Sequence, residues 1–220
     1  RDYKVTGVQT CALPIYDLLF IAGGSTGVLL VMGAITSFIL GIGMTVTAAY
    51  IFLAIILAPA LIEGGLHPVA VHLFILYWGM LSFITPPVAL GAFAAATIAK
   101  AKPMLAALDA MRLSAVIYLI PFLFVMEPDL VLANGGQAVV LELMEILPAI
   151  YCIASGTQGW MPWFGRLYRS TSISLIIGGL LIALPDLAAI GISIDETWLN
   201  IAGLAIIILC LLGQQSRAKI

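Results

Sequence analysis

Gly41-Ile42-Gly43-Met44-Thr45 lies in the middle of an apolar run over 18–62, and Thr85-Pro86-Pro87 lies in the middle of a second run over 69–99. The hydrocarbon core of a bilayer is about 30 Å thick, so one helical crossing takes about 20 apolar residues. Both runs are too long for one straight crossing and too short for two comfortable crossings with a loop. Paired glycines and Thr-Pro-Pro interrupt helices. Short apolar arms around such a break are the sequence form of re-entrant hairpins and discontinuous helices. The first run therefore predicts a hairpin over 18–62 with its tip near Gly43 at mid-membrane, and the second predicts a discontinuous helix over 69–99. Two ordinary spans joined by a tight turn at 41–45 would account for the first run as well.

The composition around these breaks excludes a soluble fold. Of 220 residues, 63% are hydrophobic and 9% charged, against about 45–50% and about 25% in a soluble domain. The mean hydropathy is +1.17. With 9 Lys+Arg, 11 Asp+Glu and 2 His, polar residues are too few to cover a water-facing surface, so lipid is the solvent for most of it. A formal net charge of −2 without a basic tract excludes nucleic acid as a partner. Cys11, Cys152 and Cys210 form no CxxC or Cys/His grouping, which suggests neither a metal site nor a disulfide framework. Further apolar runs stand at 113–126, 138–153, 171–190 and 198–212. The expected fold is an all-α polytopic membrane protein with one unit over 17–132, ending in a helix over 105–126, and a three-helix extension over 133–220. Residues 1–16 carry Arg1, Asp2 and Lys4, lack the apolar core of a signal peptide and open without Met. Their string resembles a translated sequencing adaptor, so they are read as an artefactual leader, with a short cytoplasmic N-terminus as the alternative.

Loop charges set the orientation. Beyond the leader the basic residues Lys100, Lys102, Arg112, Arg166, Arg169, Arg217 and Lys219 fall in three clusters, separated by the acidic linkers Glu127/Asp129 and Asp186/Asp195/Glu196. Placing the basic clusters in the cytoplasm lets the later helices alternate without conflict, puts the C-terminus inside and puts the 63–68 loop outside. The stretch Gly23-Gly24-Ser25-Thr26 becomes the outer mouth of the first hairpin arm.

Non-helical backbone at membrane depth persists only where protein or a water-filled cavity surrounds it, because each N–H and C=O needs a partner. Two such breaks suggest a shared polar site. Carbonyls at half-helix ends suit Na⁺, and half-helix N-termini suit an anionic group. Thr45, Thr47, Ser82 and Thr85 add hydroxyl oxygens at the same places. The competing reading is structural: Gly-x-Gly as a close-packing contact and Ser/Thr bonded back to their own helix.

These residues resemble a known family. Gly41-Ile42-Gly43-Met44-Thr45-Val46-Thr47-Ala48-Ala49-Tyr50 is similar to the GMGxPTTAAY hairpin tip of the DctM-like large permease subunit of TRAP (tripartite ATP-independent periplasmic) transporters. Ala58-Pro59-Ala60-Leu61, His72-Leu73-Phe74, Ile84-Thr85-Pro86-Pro87-Val88-Ala89-Leu90, Ala92-Phe93-Ala94-Ala95-Ala96 and Pro121-Phe122-Leu123-Phe124 follow in family order. The likeness is nearest to the fused permeases that work with TAXI-type receptors. It covers 18–132 well, and the last three helices only as a variable tail.

The resemblance implies the second of two inverted repeats in an elevator-type secondary transporter of the bacterial inner membrane, coupling Na⁺ to uptake of organic anions, commonly carboxylates. Its partners would be a periplasmic solute-binding protein, an absent N-terminal repeat and small-subunit helices, and a fragment alone would be inactive. No cofactor is expected beyond Na⁺ as coupling ion. Carried over by position, the ion ligands would come from Gly41, Gly43 and Thr47 at the tip and from Thr85, Pro86 and Pro87 at the broken helix. Thr45 and Ser82 complete the candidate ion and substrate set. The family's Pro-Thr at the tip is Thr45-Val46 here, which removes a helix breaker and a hydroxyl, so a more helical tip or an altered ion site is expected.

Other polar residues carry plainer readings. Asp109 and Arg112 are spaced for a surface ion pair. Glu142 and Glu145 are expected near the outer end of their helix, where carboxylates reach the interface. His67 falls in a loop, and His72 is expected to pack or hydrogen-bond. Trp160, Trp163 and Tyr168 beside Arg166 and Arg169 form an interfacial belt. The competing functions are a non-catalytic scaffold and an intramembrane enzyme. The enzyme lacks a Ser/His or paired-Asp constellation, since Ser155 has no His in register.

Overall fold

The computed structural model describes residues 25–131, 135–162, 164–184 and 196–218, with side chains in the last segment over 197–214. The expected leader and the Asp186/Asp195 linker lie outside these residues, as does Trp163. Nine helices stand among the described residues: α1 (Thr26–Gly41), α2 (Val46–Glu63), α3 (Pro68–Met80), α4 (Leu90–Ala99), α5 (Pro103–Leu113), α6 (Ile120–Met126), α7 (Gly136–Gln158), α8 (Arg169–Ala183) and α9 (Glu196–Ala218). The strand content described is one two-residue antiparallel pair, Trp160–Met161 with Gly165–Arg166. The chain is an all-α polytopic membrane protein. Helix α2, helix α7 and the Thr197–Gln214 part of α9 are long and apolar enough to cross a bilayer.

Local chemistry sets the helix ends. Pro68 opens α3 and Pro103 opens α5, at the position where the missing N–H of proline costs nothing. Gly159, at φ +70, closes α7, the left-handed stop that glycine adopts without strain. The run over 18–62 divides into α1 and α2, and the four-residue break at 42–45 survives without the family's proline. Thr45 takes over, capping α2 by accepting a 3.3 Å hydrogen bond from the Ala48 N–H. The expected more helical tip is therefore not what forms. Helix α2 has 18 residues, about 27 Å of rise, which is more than an arm reaching only mid-membrane needs.

The helix expected over 105–126 needs correction. It is a pair, α5 and a segment over Ala115–Met126, bent by 68°. The Ser114 hydroxyl donates back to the Ala110 carbonyl, a bond that bends helices, and Pro121 adds no N–H donor to the segment that follows.

Two apolar cores meet at α6. Leu29, Leu30, Leu53, Leu57, Leu61, Val71, Phe74 and Ile75 form the first, joined by Val125. Ile146, Ala149, Leu175, Ile182 and Ile207 form the second, joined by Leu123. Outside them the helices turn bulky apolar side chains outward, among them Val31, Ile35 and Ile39 on α1 and Leu204 and Ile208 on α9, as lipid contact requires. The last three helices pack through glycines. A Cβ on Gly179 of α8 would stand 2.8 Å from the Ala149 carbonyl of α7, and one on Gly203 of α9 would stand 2.7 Å from the Gly178 carbonyl of α8. Backbone-to-backbone approach of this kind lets helices associate where no hydrophobic effect drives them together.

Candidate functional site

Helices α1 and α2 form an antiparallel hairpin. Gly64, just past α2, sits against Leu29 at the start of α1, and Gly33 faces Leu57 and Leu61. Helix α3 runs alongside α1, with Phe74 beside Gly33 and Gly79 beside Gly41. The second contact decides the site. A Cβ on Gly41 would lie 2.5 Å from the Gly79 carbonyl oxygen, so the two backbones touch with no side chain between them. Ala49 and Leu53 of α2 also reach Gly79. The last turn before the hairpin tip thus abuts the last turn before the second break.

That second break is real. After α3 the chain makes a short tight turn over Leu81–Phe83 and leaves helical geometry until Leu90. It passes through a cis Pro86–Pro87 bond and a left-handed Ala89 at φ 36. Pro86 and Pro87 have no N–H, so the carbonyls of Ser82 and Phe83 lose their helical donors. A Cβ on Gly91 would meet the Phe83 carbonyl oxygen at 3.3 Å, so α4 restarts close against one of these carbonyls.

The candidate residues divide by burial. Gly41, Ser82 and Thr85 are buried, while Gly43, Thr45, Thr47 and Pro87 are exposed. Both buried hydroxyls bond to their own helical segment: Ser82 Oγ donates to the Gly79 carbonyl at 3.0 Å, and Thr85 Oγ1 donates to the Leu81 carbonyl at 2.7 Å. Thr85 Oγ1 also stands 2.6 Å from the Tyr118 hydroxyl, which must then be the donor. Gly43 adopts φ +87, a conformation that glycine takes at no steric cost.

Three residues here escaped the sequence reading. Gly79 is the small residue against which the tip closes. Tyr118 reaches the broken helix from the bend between α5 and α6, and its only sequence signal is a polar-tipped ring inside an apolar run. Ser37, one turn before Gly41, is fully buried and its Oγ has no partner. Trp78 wedges the assembly, packing edge-on against Phe38, Tyr118 and Phe122 at 6.5, 6.1 and 5.7 Å.

The plainer readings fare unevenly. His72 does hydrogen-bond, its Nδ1 lying 3.1 Å from the Tyr50 hydroxyl of α2. Arg112 forms no surface pair with Asp109 but donates to the Thr157 and Gln158 carbonyls at 2.8 and 3.0 Å, because the end of α7 presents carbonyls without helical partners. Glu145 accepts a hydrogen bond from the Asn200 amide of α9. Trp160 and Tyr168 are exposed, as a belt requires.

The family model described as "Tripartite ATP-independent periplasmic transporter, DctM component" matches residues 5–135, a span that holds both breaks and more than half of the chain. The chain belongs to the DctM family. It is a TRAP-type permease component, and the family is one of transporter parts rather than enzymes. No curated protein and no solved structure matches the chain. The match to the DctM model starts inside the segment read as a leader and ends just before α7, so α7, α8 and α9 fall outside it.

Proposed function

We propose that this DctM chain supplies the second repeat of an elevator-type permease in the bacterial inner membrane, with its C-terminus in the cytoplasm. In this reading Na⁺ entry drives import of organic anions, carboxylates above all, handed over by a periplasmic solute-binding protein. The observation that carries the reading is the Gly41–Gly79 contact, which sets the last turn before the hairpin tip against the last turn before the second break. Broken helices side by side are where coupling ions and anionic substrates bind in secondary transporters. The donors for Na⁺ would be backbone oxygens at Gly41 and Gly43 and of Ser82 and Phe83, with Thr47 and Thr85 hydroxyls beside them and Thr45 holding the tip open. Pro86 and Pro87 contribute by withholding N–H groups. Thr85 is the best placed hydroxyl, because Tyr118 and Leu81 fix its orientation. A first repeat and small-subunit helices would supply the remaining substrate contacts.

The test is thermal unfolding of the chain in NaCl against KCl at equal ionic strength. Binding at a hundredfold excess over Kd stabilises by about 2.7 kcal/mol, so a rise of several degrees specific to Na⁺ is expected. Thr85→Ala should remove most of it and Tyr118→Phe part of it. Equal melting in both salts would remove the ion site.

A further inference from the structure

Between the start of α8 and the last turns of α9 lies a cavity of about 170 Å³, with Ser170, Thr171, Leu209, Cys210 and Gln214 among its lining residues. Gln214 builds one wall. It is buried, accepts a hydrogen bond from the Tyr168 N–H at 3.2 Å and donates through Nε2 to the Arg166 carbonyl at 2.9 Å. The next three N–H groups, those of Arg169, Ser170 and Thr171, begin α8 and have no helical acceptor, and no side chain caps them.

Thr171 supplies an independent observation. It is only 5% exposed, yet its hydroxyl makes no hydrogen bond, whereas Thr36, Thr97 and Thr157 each bond back to a carbonyl of their own helix. Unlike the Ser37 oxygen, the Thr171 oxygen is not sealed within protein, and the residue lines the cavity. The charges point the same way. Arg169 occupies the first helical position, where the dipole repels a cation, and Arg166 precedes it by three residues. Both are exposed, and neither forms an ion pair among the described residues.

An apolar occupant would leave the Thr171 hydroxyl and the first-turn N–H groups unsatisfied, and a cation would be repelled by the dipole and both arginines. The cavity has the liquid volume of about six waters, which suits a group of about five heavy atoms. Exposed Trp160 and Tyr168 beside it set this end at the level of lipid headgroups. We infer that the cavity binds a phosphate group, held by the Thr171 hydroxyl and the first-turn N–H groups of α8, with Arg166 and Arg169 as counter-charges. An anionic phospholipid head and free inorganic phosphate share this chemistry, and basic pockets between helix ends suit the former. The inference does not rest on the transport reading, since α8 and α9 belong to neither broken run and lie outside the span matched by the family model.

Cys210, partly exposed on the cavity wall, is the reporter. The full chain, with Cys11 and Cys152 replaced by alanine, is placed in phosphatidylcholine nanodiscs, and the rate of Cys210 modification by methyl methanethiosulfonate is followed by mass spectrometry. A site about four-fifths occupied slows the reaction about fivefold. Slowing by phosphatidylglycerol added to the disc assigns a lipid head, and slowing by inorganic phosphate, against chloride at equal ionic strength, assigns the free ion. Loss of a hydrogen bond to a charged group should raise the half-protecting amount about tenfold in Thr171→Val, a change that leaves the surface charge as it was. Thr171→Ser should keep most of the protection. Arg169→Gln should weaken it about threefold, as loss of a partly screened charge does. Each variant is compared with its own rate in phosphatidylcholine and chloride. No slowing by either phosphate source, or slowing that persists undiminished in Thr171→Val, would overturn the inference.

Discussion

Gly41 and Gly43 stand two residues apart and are held for different reasons. At Gly41 the limit is space, because an added methyl would lie 2.5 Å from a backbone oxygen that cannot swing away. At Gly43 nothing lies within 4 Å and the limit is the dihedral, φ +87. Gly41→Ala should therefore destabilise by about 1–3 kcal/mol, the usual cost of overpacking, and should also disturb Ser82 through the Gly79 carbonyl. Gly43→Ala should cost about 1–2 kcal/mol of left-handed strain and leave the Gly79 contact intact. Melting curves of the two variants in detergent check the ranking, and a larger drop for Gly43→Ala would refute the assignment of causes. The sequence revealed both glycines but not this distinction, because Gly79, the partner that separates them, lies 38 positions away in an unremarkable apolar turn.

At the scale of elements, glycines fit α8 between its neighbours, Gly179 towards α7 and Gly178 towards α9. Gly203→Leu would drive a branched side chain into the Gly178 carbonyl and Ile182. A loss of about 1–3 kcal/mol and earlier proteolysis between α8 and α9, at Asp186 or Asp195, are expected in a limited digest with an aspartate-specific endoproteinase. An unchanged digest would mean that the two helices can part at no cost. The existence of these helices, and of both breaks, was legible in the sequence because apolar run length and breaker chemistry are local properties. The bend between α5 and α6 was not, since it combines the Ser114 back-bond with Pro121 in a stretch whose hydropathy reads as continuous. Nor was the destination of Arg112, since i, i+3 spacing advertises Asp109 while the carbonyls it meets at the end of α7 are 45 and 46 residues distant.

For the whole molecule, orientation rests on loop charge alone. With Cys11, Cys152 and Cys210 replaced, a cysteine at Glu63 should react with an impermeant maleimide in intact cells, and one at Lys102 only after permeabilisation. Both reacting from one side would reverse the proposed topology of the broken helix. The site was legible in outline, as two breaks with hydroxyls nearby. What stayed hidden was how the pieces close on one another: Tyr118 fixing Thr85, Trp78 as a wedge, and Ser37 buried without a partner. The Gly41–Gly79 contact has a mechanical consequence. Where main chain rests on main chain there is no rotamer to flip and no gap to squeeze, so the hairpin cannot fold back from the broken helix like a flap. Any stroke this assembly makes across the membrane must carry both together as one cargo car.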